Sequence, residues 1–225
     1  MRRLSLLIIT ALLCPLPLKA QPQTQPQTQP SAAPQTMPAV GGSWDIVPCS
    51  RFGPIQSNTS AVDLVKLFGR ENVQDIQIEG PEGESYPGTV IFPNDPAKKL
   101  QIVWKDAAAK KSPVEITVSG EKTVWKTSNG LTLGTRLKDL EKLNGGPFTI
   151  SGFGWDYGGR VVSWENGALT KLFPKTMGLM LDVPANPPPS EKDMKAVSGD
   201  KNFKTDNPVL QAVNPWVVEI SCNFQ

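Results

Sequence analysis

The residues of this sequence whose spacing could carry hydrolytic chemistry are carboxylates, Asp156 with Glu165 and Glu82 with Glu84. A glycosidase-like reaction needs two such groups across a cleft, one held protonated and the other ionised by its surroundings. Neither spacing imposes that arrangement, and acidic residues in turns are ordinarily solvated. The 225-residue chain contains no histidine. That absence removes Ser-His-Asp and Cys-His nucleophile pairs, the common zinc sets and the usual neutral-pH general base. Pro93-Asn94-Asp95-Pro96 offers too few oxygens for calcium, which takes about six or more. The expectation is a non-catalytic protein with no cofactor and no metal. A carboxylate-dependent envelope hydrolase is the alternative.

A different set of residues suits binding. In Gly152-Phe153-Gly154-Trp155-Asp156-Tyr157-Gly158-Gly159-Arg160, glycines on both sides let the backbone turn sharply. Trp155, Tyr157 and Arg160 are of the types that dominate binding hot spots, and with Asp156 they would form a hairpin tip able to enter a partner's cleft. The same segment also reads as a bulged, close-packed strand whose rings belong to the core. Lys105, Lys110, Lys111, Lys122 and Lys126 make a locally basic stretch, but Asp106, Glu115 and Glu121 interrupt it, which is the pattern of a solvated surface.

The chain opens Met1-Arg2-Arg3, runs apolar from Leu4 to Leu18 and continues Lys19-Ala20. This is the pattern of a secretory signal peptide over residues 1–20, cleaved near Ala20. Its apolar run is too short for a stable membrane span. Leu13 stands where a lipobox needs a small residue before Cys14. Removing Arg2, Arg3 and Lys19 leaves 20 basic against 21 acidic residues, a net charge of −1. A nearly neutral chain has no electrostatic footprint for nucleic acid or anionic lipid. The expected location is periplasmic or secreted, and the expected partner an extracytoplasmic protein or envelope component. Two cysteines survive processing, Cys49 and Cys222, and an oxidising compartment makes one disulfide the default. It would close a loop of about 173 residues, worth at most roughly 5 kcal/mol through chain entropy.

Residues 21–42 repeat Gln-Pro-Gln-Thr and end on Gly41-Gly42, a low-complexity Gln/Pro/Thr-rich spacer expected to be disordered. Beyond it, Thr59-Ser-Ala-Val-Asp-Leu-Val-Lys-Leu-Phe-Gly69 recurs as Thr135-Arg-Leu-Lys-Asp-Leu-Glu-Lys-Leu-Asn-Gly145, with six residues shared in one register. Thr59 or Ser60 is predicted to cap a helix striped by Ala61, Leu64, Leu67 and Phe68. Thr135 is predicted to cap one carrying Leu137, Leu140 and Leu143. Glycine ends both. Strands are predicted at 44–46, 73–78, 89–92, 100–104, 114–118, 148–155, 160–164 and 179–183. Residues 184–208 read as a Pro-rich connection with one helical turn near 192–197. The final strand, 216–224, places Trp216, Val218, Ile220, Cys222 and Phe224 on its buried face, and Trp104 and Trp164 read as equivalent core anchors. The predicted fold class is α+β. Two repeated units, 43–128 and 129–183, would each be a short helix followed by an antiparallel meander, forming one continuous or paired sheet, with 184–225 as connection and C-terminal strand.

A helix with the run Asp-Leu-x-Lys-Leu-x-Gly before an antiparallel meander, repeated in tandem, resembles the units of the beta-lactamase-inhibitory-protein and SmpA/BamE-like outer-membrane-assembly group. It is also similar to exported bacterial proteins in which Gly130-Leu-Thr-Leu-Gly-Thr135 and the 152–159 glycine segment mark the second unit. The resemblance implies a non-catalytic, protein-binding role on an extracytoplasmic scaffold, inhibitor-like in character; a purely structural envelope assembly factor is a further alternative. The disulfide is the expectation with the most direct check. Intact-mass analysis of the secreted chain should gain two hydrogens on reduction, and thiol alkylation under denaturing conditions should label both cysteines only after reductant; labelling before it would remove the cross-link.

Overall fold

The computed structural model describes residues 43–48 and 50–224. The expected signal peptide and spacer, and Cys49, lie outside those residues. Short strands β1 (Asp45–Val47), β2 (Arg51–Phe52) and β3 (Ile55–Gln56) precede helix α1 (Ala61–Phe68). A meander follows, β4 (Val73–Glu79), β5 (Ser85–Ile91), β6 (Leu100–Asp106) and β7 (Lys111–Ser119), and then β8 (Lys126–Thr127). Helix α2 (Leu137–Asn144) opens the second half, with β9 (Thr149–Ser151), β10 (Val161–Ser163), α3 (Leu169–Leu172) and β11 (Met177–Asp182). The last segment holds α4 (Glu191–Val197), β12 (Asn202–Lys204), α5 (Pro208–Val213) and β13 (Trp216–Asn223). Among the described residues no helix is long and apolar enough to cross a membrane.

The fold is α+β, with antiparallel pairing throughout except where β1 runs parallel to β8. The main sheet has the order β11-β13-β7-β6-β5-β4. One face is built from matched buried residues: Thr89 pairs with Ile102, Ile102 with Ile116, Ile116 with Cys222 and Cys222 with Met177. Leu64 and Phe68 of α1 and Leu137 and Leu140 of α2 join the same apolar cluster, so both helices cover that face. Trp104 and Trp164 are buried as predicted, but Trp125 is the largest fully enclosed side chain, its indole N–H donating to the Lys98 carbonyl at 3.0 Å.

The recurring words of the sequence have recurring structure. The helices start and stop at equivalent positions, and the amide of Gly69 or Gly145 caps each C-terminus. Thr59 Oγ1 accepts from the Gln56 amide, and Thr135 Oγ1 from the Thr132 amide. Thr59 and Ala61 bond to Ser112 and Lys110 beside the start of β7, while Thr135 and Leu137 bond in the same sense to Val217 and Pro215 beside the start of β13. The C-terminal strand thus holds, next to α2, the place that β7 holds next to α1.

Several expectations are corrected. The strands form three sheets rather than one continuous or paired sheet: the main sheet, β3-β2-β1-β8, and β10-β9-β12. The physical cause is at the β9–β10 hairpin, whose register shifts between Val161 and Ser163. Just before β10 the chain meets β11 through the Arg160–Met180 bridge and the bond from the Leu181 amide to the Gly159 carbonyl. The segment predicted as strand 148–155 shortens to Thr149–Ser151. Ser60 caps α1 in a capping box with Asp63, but Thr135 does not cap α2. There the Lys138 amide donates instead to the Asn214 side chain, 3.2 Å away. In β13 the buried set is Val217, Ile220 and Cys222, because the ladder with β11 skips Val218 and reverses the alternation. The helix at Glu191–Val197 matches the predicted turn, whereas β12 and α5 were not anticipated. Cys222 is fully buried on the core side.

Asn144, the last residue of α2, is buried and ties the second half together. Its Nδ2 donates to the Trp164 carbonyl at 3.0 Å and its Oδ1 accepts from the Leu169 amide at 3.2 Å. Asn144→Ala would strand both groups away from water, so a loss of about 2–4 kcal/mol in urea unfolding is expected. A loss below about 1 kcal/mol would mean that water replaces the side chain.

Candidate functional site

Strand alternation that buries Ile102, Ile116, Cys222 and Met177 on one face sends their neighbours to the other. A second cross-strand row runs Val90, Gln101, Thr117, Ser221, Gly178. Val103 pairs with Glu115 on this face, and Glu219 with Met180. Gln101, Val103, Glu115, Thr117, Met180 and Glu219 of this face line a pocket of about 340 Å³, and among the described residues no α-helix lines it.

Arg160 enters this face from the end of the β9–β10 hairpin. Its Nη2 stands 3.6 Å from Glu219 Oε1, and its Nε is buried with no hydrogen-bond partner among the described residues. The guanidinium lies against the sheet because position 178 is glycine. A Cβ there would sit 2.4 Å from Ser221 Oγ and 3.1 Å from Arg160 Nη1. Gly159 (φ +72) has a similar role on the hairpin: a Cβ there would lie 2.0 Å from the Leu181 carbonyl oxygen, so a side chain would push β11 away from the hairpin.

Two hairpins roof the pocket. The β4–β5 connection and the β9–β10 connection touch where the Glu82 amide donates to Asp156 Oδ2 at 3.2 Å. Trp155 and Tyr157, each 41% exposed, pair edge to face with centroids 5.4 Å apart. The turn holding them is fixed from below. The Trp155 indole N–H donates to the Gly152 carbonyl at 2.8 Å, and Ser151 Oγ donates to the Tyr157 carbonyl at 2.5 Å. Of the two sequence readings of this segment, the aromatic tip is exposed while Phe153 alone points into the core. Tyr86 lines the pocket, its hydroxyl donating to Glu84, and that bond raises the phenol's pKa.

The electrostatics are acidic. Glu79, Glu115, Asp156 and Glu219 face one guanidinium, Arg160. Burial raises the carboxyl of Glu219 above its ordinary value; Arg160 opposes the shift and Glu115 adds to it. Thr117 Oγ1 donates to Glu115 at 3.2 Å.

Of the nominated binding residues, Asp156 and Arg160 line this pocket, while Trp155 and Tyr157 flank Asp156 in the chain and pair with each other in solvent. The nominated pair Asp156 and Glu165 is split between two cavities. Glu165 lies beside Thr149 and Ser163, whose hydrogen bonds lower its pKa, and lines a different cavity with Trp164 and Phe173. Glu84 is engaged with Tyr86, and Glu82 contributes its backbone. Glu115, Glu219, Tyr86 and Gln101 were not singled out from sequence. The available signal was a carboxylate and a hydroxyl at alternate positions of otherwise apolar strands, Glu115 with Thr117 and Glu219 with Ser221.

Compared with protein-family models, with curated protein sequences and with solved structures, the chain matches none.

A carboxyl whose folded pKa is raised contributes stability that is fully present below its unfolded value and is lost as pH rises through the folded value. For Glu219 that window opens at the ordinary value of 4.5 and extends upward. Glu219→Gln should therefore melt like the wild type near pH 4 and above it at pH 7. Equal melting temperatures across this range would show that Arg160 fully offsets the burial.

Proposed function

We propose that this chain is an exported, non-catalytic binding protein that engages an extracytoplasmic protein or envelope component, in the manner of an inhibitor or envelope accessory. The observation that carries the reading is the Trp155–Tyr157 tip. Two large aromatic rings stand in solvent on a turn held by its own hydrogen bonds, on either side of Asp156, which lines a polar pocket. Aromatic residues displayed on a rigid support lose little conformational freedom on binding, which is why they dominate interface energies.

The equivalent contacts of α1 with β7 and of α2 with β13 support reading the two halves as diverged copies of one helix-plus-sheet unit, of the tandem type that the sequence resembles. In that reading β13, rather than the 177–182 segment, closes the second unit. The pocket then lies between the two halves' equivalent hairpins. The Cys49–Cys222 cross-link would tie the first strand region to β13, which lies between β11 and β7.

Capture from an envelope extract tests the proposal. Wild-type bait should retain a partner that Trp155→Ala with Tyr157→Ala loses by at least about ten-fold, a drop of the size that removal of hot-spot residues gives. Circular dichroism must show the double variant folded. Undiminished capture by the folded double variant would reject the hairpin as the binding element.

A further inference from the structure

The geometry points to a lysine or arginine side chain of a protein partner as the occupant of the pocket on the open face of the main sheet. This deepens the proposed binding role and rests on it. Four carboxylates line the pocket, and among the described residues Glu79, Glu115 and Asp156 have no basic partner. Arg160 neutralises one of them, Glu219. A chamber with this imbalance and a partly desolvated floor favours a cation, whose charge is attracted more strongly there than in open water.

The shape and walls narrow the chemistry. About 340 Å³ is at the small end of ligand sites and suits one long side chain better than a folded segment. Ile78, Val103 and Met180 supply apolar wall for a methylene stem, and the carboxylates lie around them. That combination matches the amphipathic build of lysine and arginine, apolar along the stem and charged at the head. Tyr86 on the wall adds a ring face able to attract a cation. A free amine has the same head but no flanking chain to meet the exposed aromatic tip.

The test uses the mature protein and capped pentapeptides of four glycines around a central residue, followed by amide chemical-shift titration. Lysine and arginine peptides should shift the signals of Glu115, Thr117 and Glu219, while the norleucine and glutamate peptides should not. Glu115→Gln with Glu219→Gln should weaken the lysine peptide by at least about ten-fold, as loss of paired charges at a desolvated site does. Glu71→Gln with Glu191→Gln, which removes the same charge from the exposed surface, should change it less than about two-fold, given screening. Equal affinity in the Glu115/Glu219 variant, or equal binding of the norleucine peptide, would overturn the assignment. Binding of n-butylamine as tight as that of the lysine peptide would assign the pocket to a free amine and overturn the partner side chain. If envelope capture depends on Trp155 and Tyr157 while no cationic peptide binds, the cation assignment fails and the binding role stands. If neither occurs, both fail.

Discussion

The pairing of β13 with β7 is the contact on which the rest of the molecule depends. It joins residues about a hundred positions apart, from Glu219 opposite Ser119 to Asn223 opposite Glu115. Closing so long a loop costs only modestly more than closing a short one, because the entropy grows with the logarithm of length. What the pairing returns is large. Ile220 and Cys222 complete the buried rows begun by Val118 and Ile116, and β11 is held in the main sheet only through β13. At its start the same strand anchors α2, since Leu137 bonds to Pro215, Val217 to Thr135, and Arg136 stacks on Trp216 at 4.3 Å.

The same strand also sets the site. Val218 is skipped in the ladder with β11, and that shift lets Val217 on one side of it and Ile220 on the other both enter the core. Glu219 is thereby left on the opposite face, where Arg160 reaches it across Gly178. A uniform strand would have kept strict alternation and could not have buried both Val217 and Ile220. The irregularity is thus part of how a carboxylate comes to stand on the pocket floor, in keeping with the general use of bulges to re-aim side chains.

Sequence and structure agree where the physics is local. The helix words could be read because capping serine, apolar stripe and terminal glycine all lie within eleven residues, as at Ser60, Leu64 and Gly69. Strands β6 and β7 could be read because Leu100, Ile102 and Trp104, and then Ile116 and Val118, alternate cleanly. The reading failed where a distant partner decides. Thr135 looked like a cap, but Asn214 supplies it from 76 residues away. The parity of β13 is set by its ladder to β11, which no periodicity reveals. Strand β12 lay hidden in a Pro-rich, charged stretch because its partner β9 is about fifty residues earlier in the chain. At the site, glycines and aromatics marked the hairpin, while Glu115 and Glu219 looked like ordinary solvated members of amphipathic strands.

That last difference bears on what the open face is for. An antiparallel sheet with one covered face usually presents long, well-solvated side chains on the other. Here the central row is short, with Thr117, Ser221 and Gly178, and it lies beneath two hairpins that touch each other. Glu219 consequently loses water and is pushed toward its protonated form, an arrangement that costs stability. The ion pair with Arg160 offsets part of that cost, and a glutamine would span the same position without the charge. Burial of a carboxylate beside a second carboxylate is the arrangement that the proposed cation would relieve. The cost falls in the empty protein and is reduced by any cation that enters.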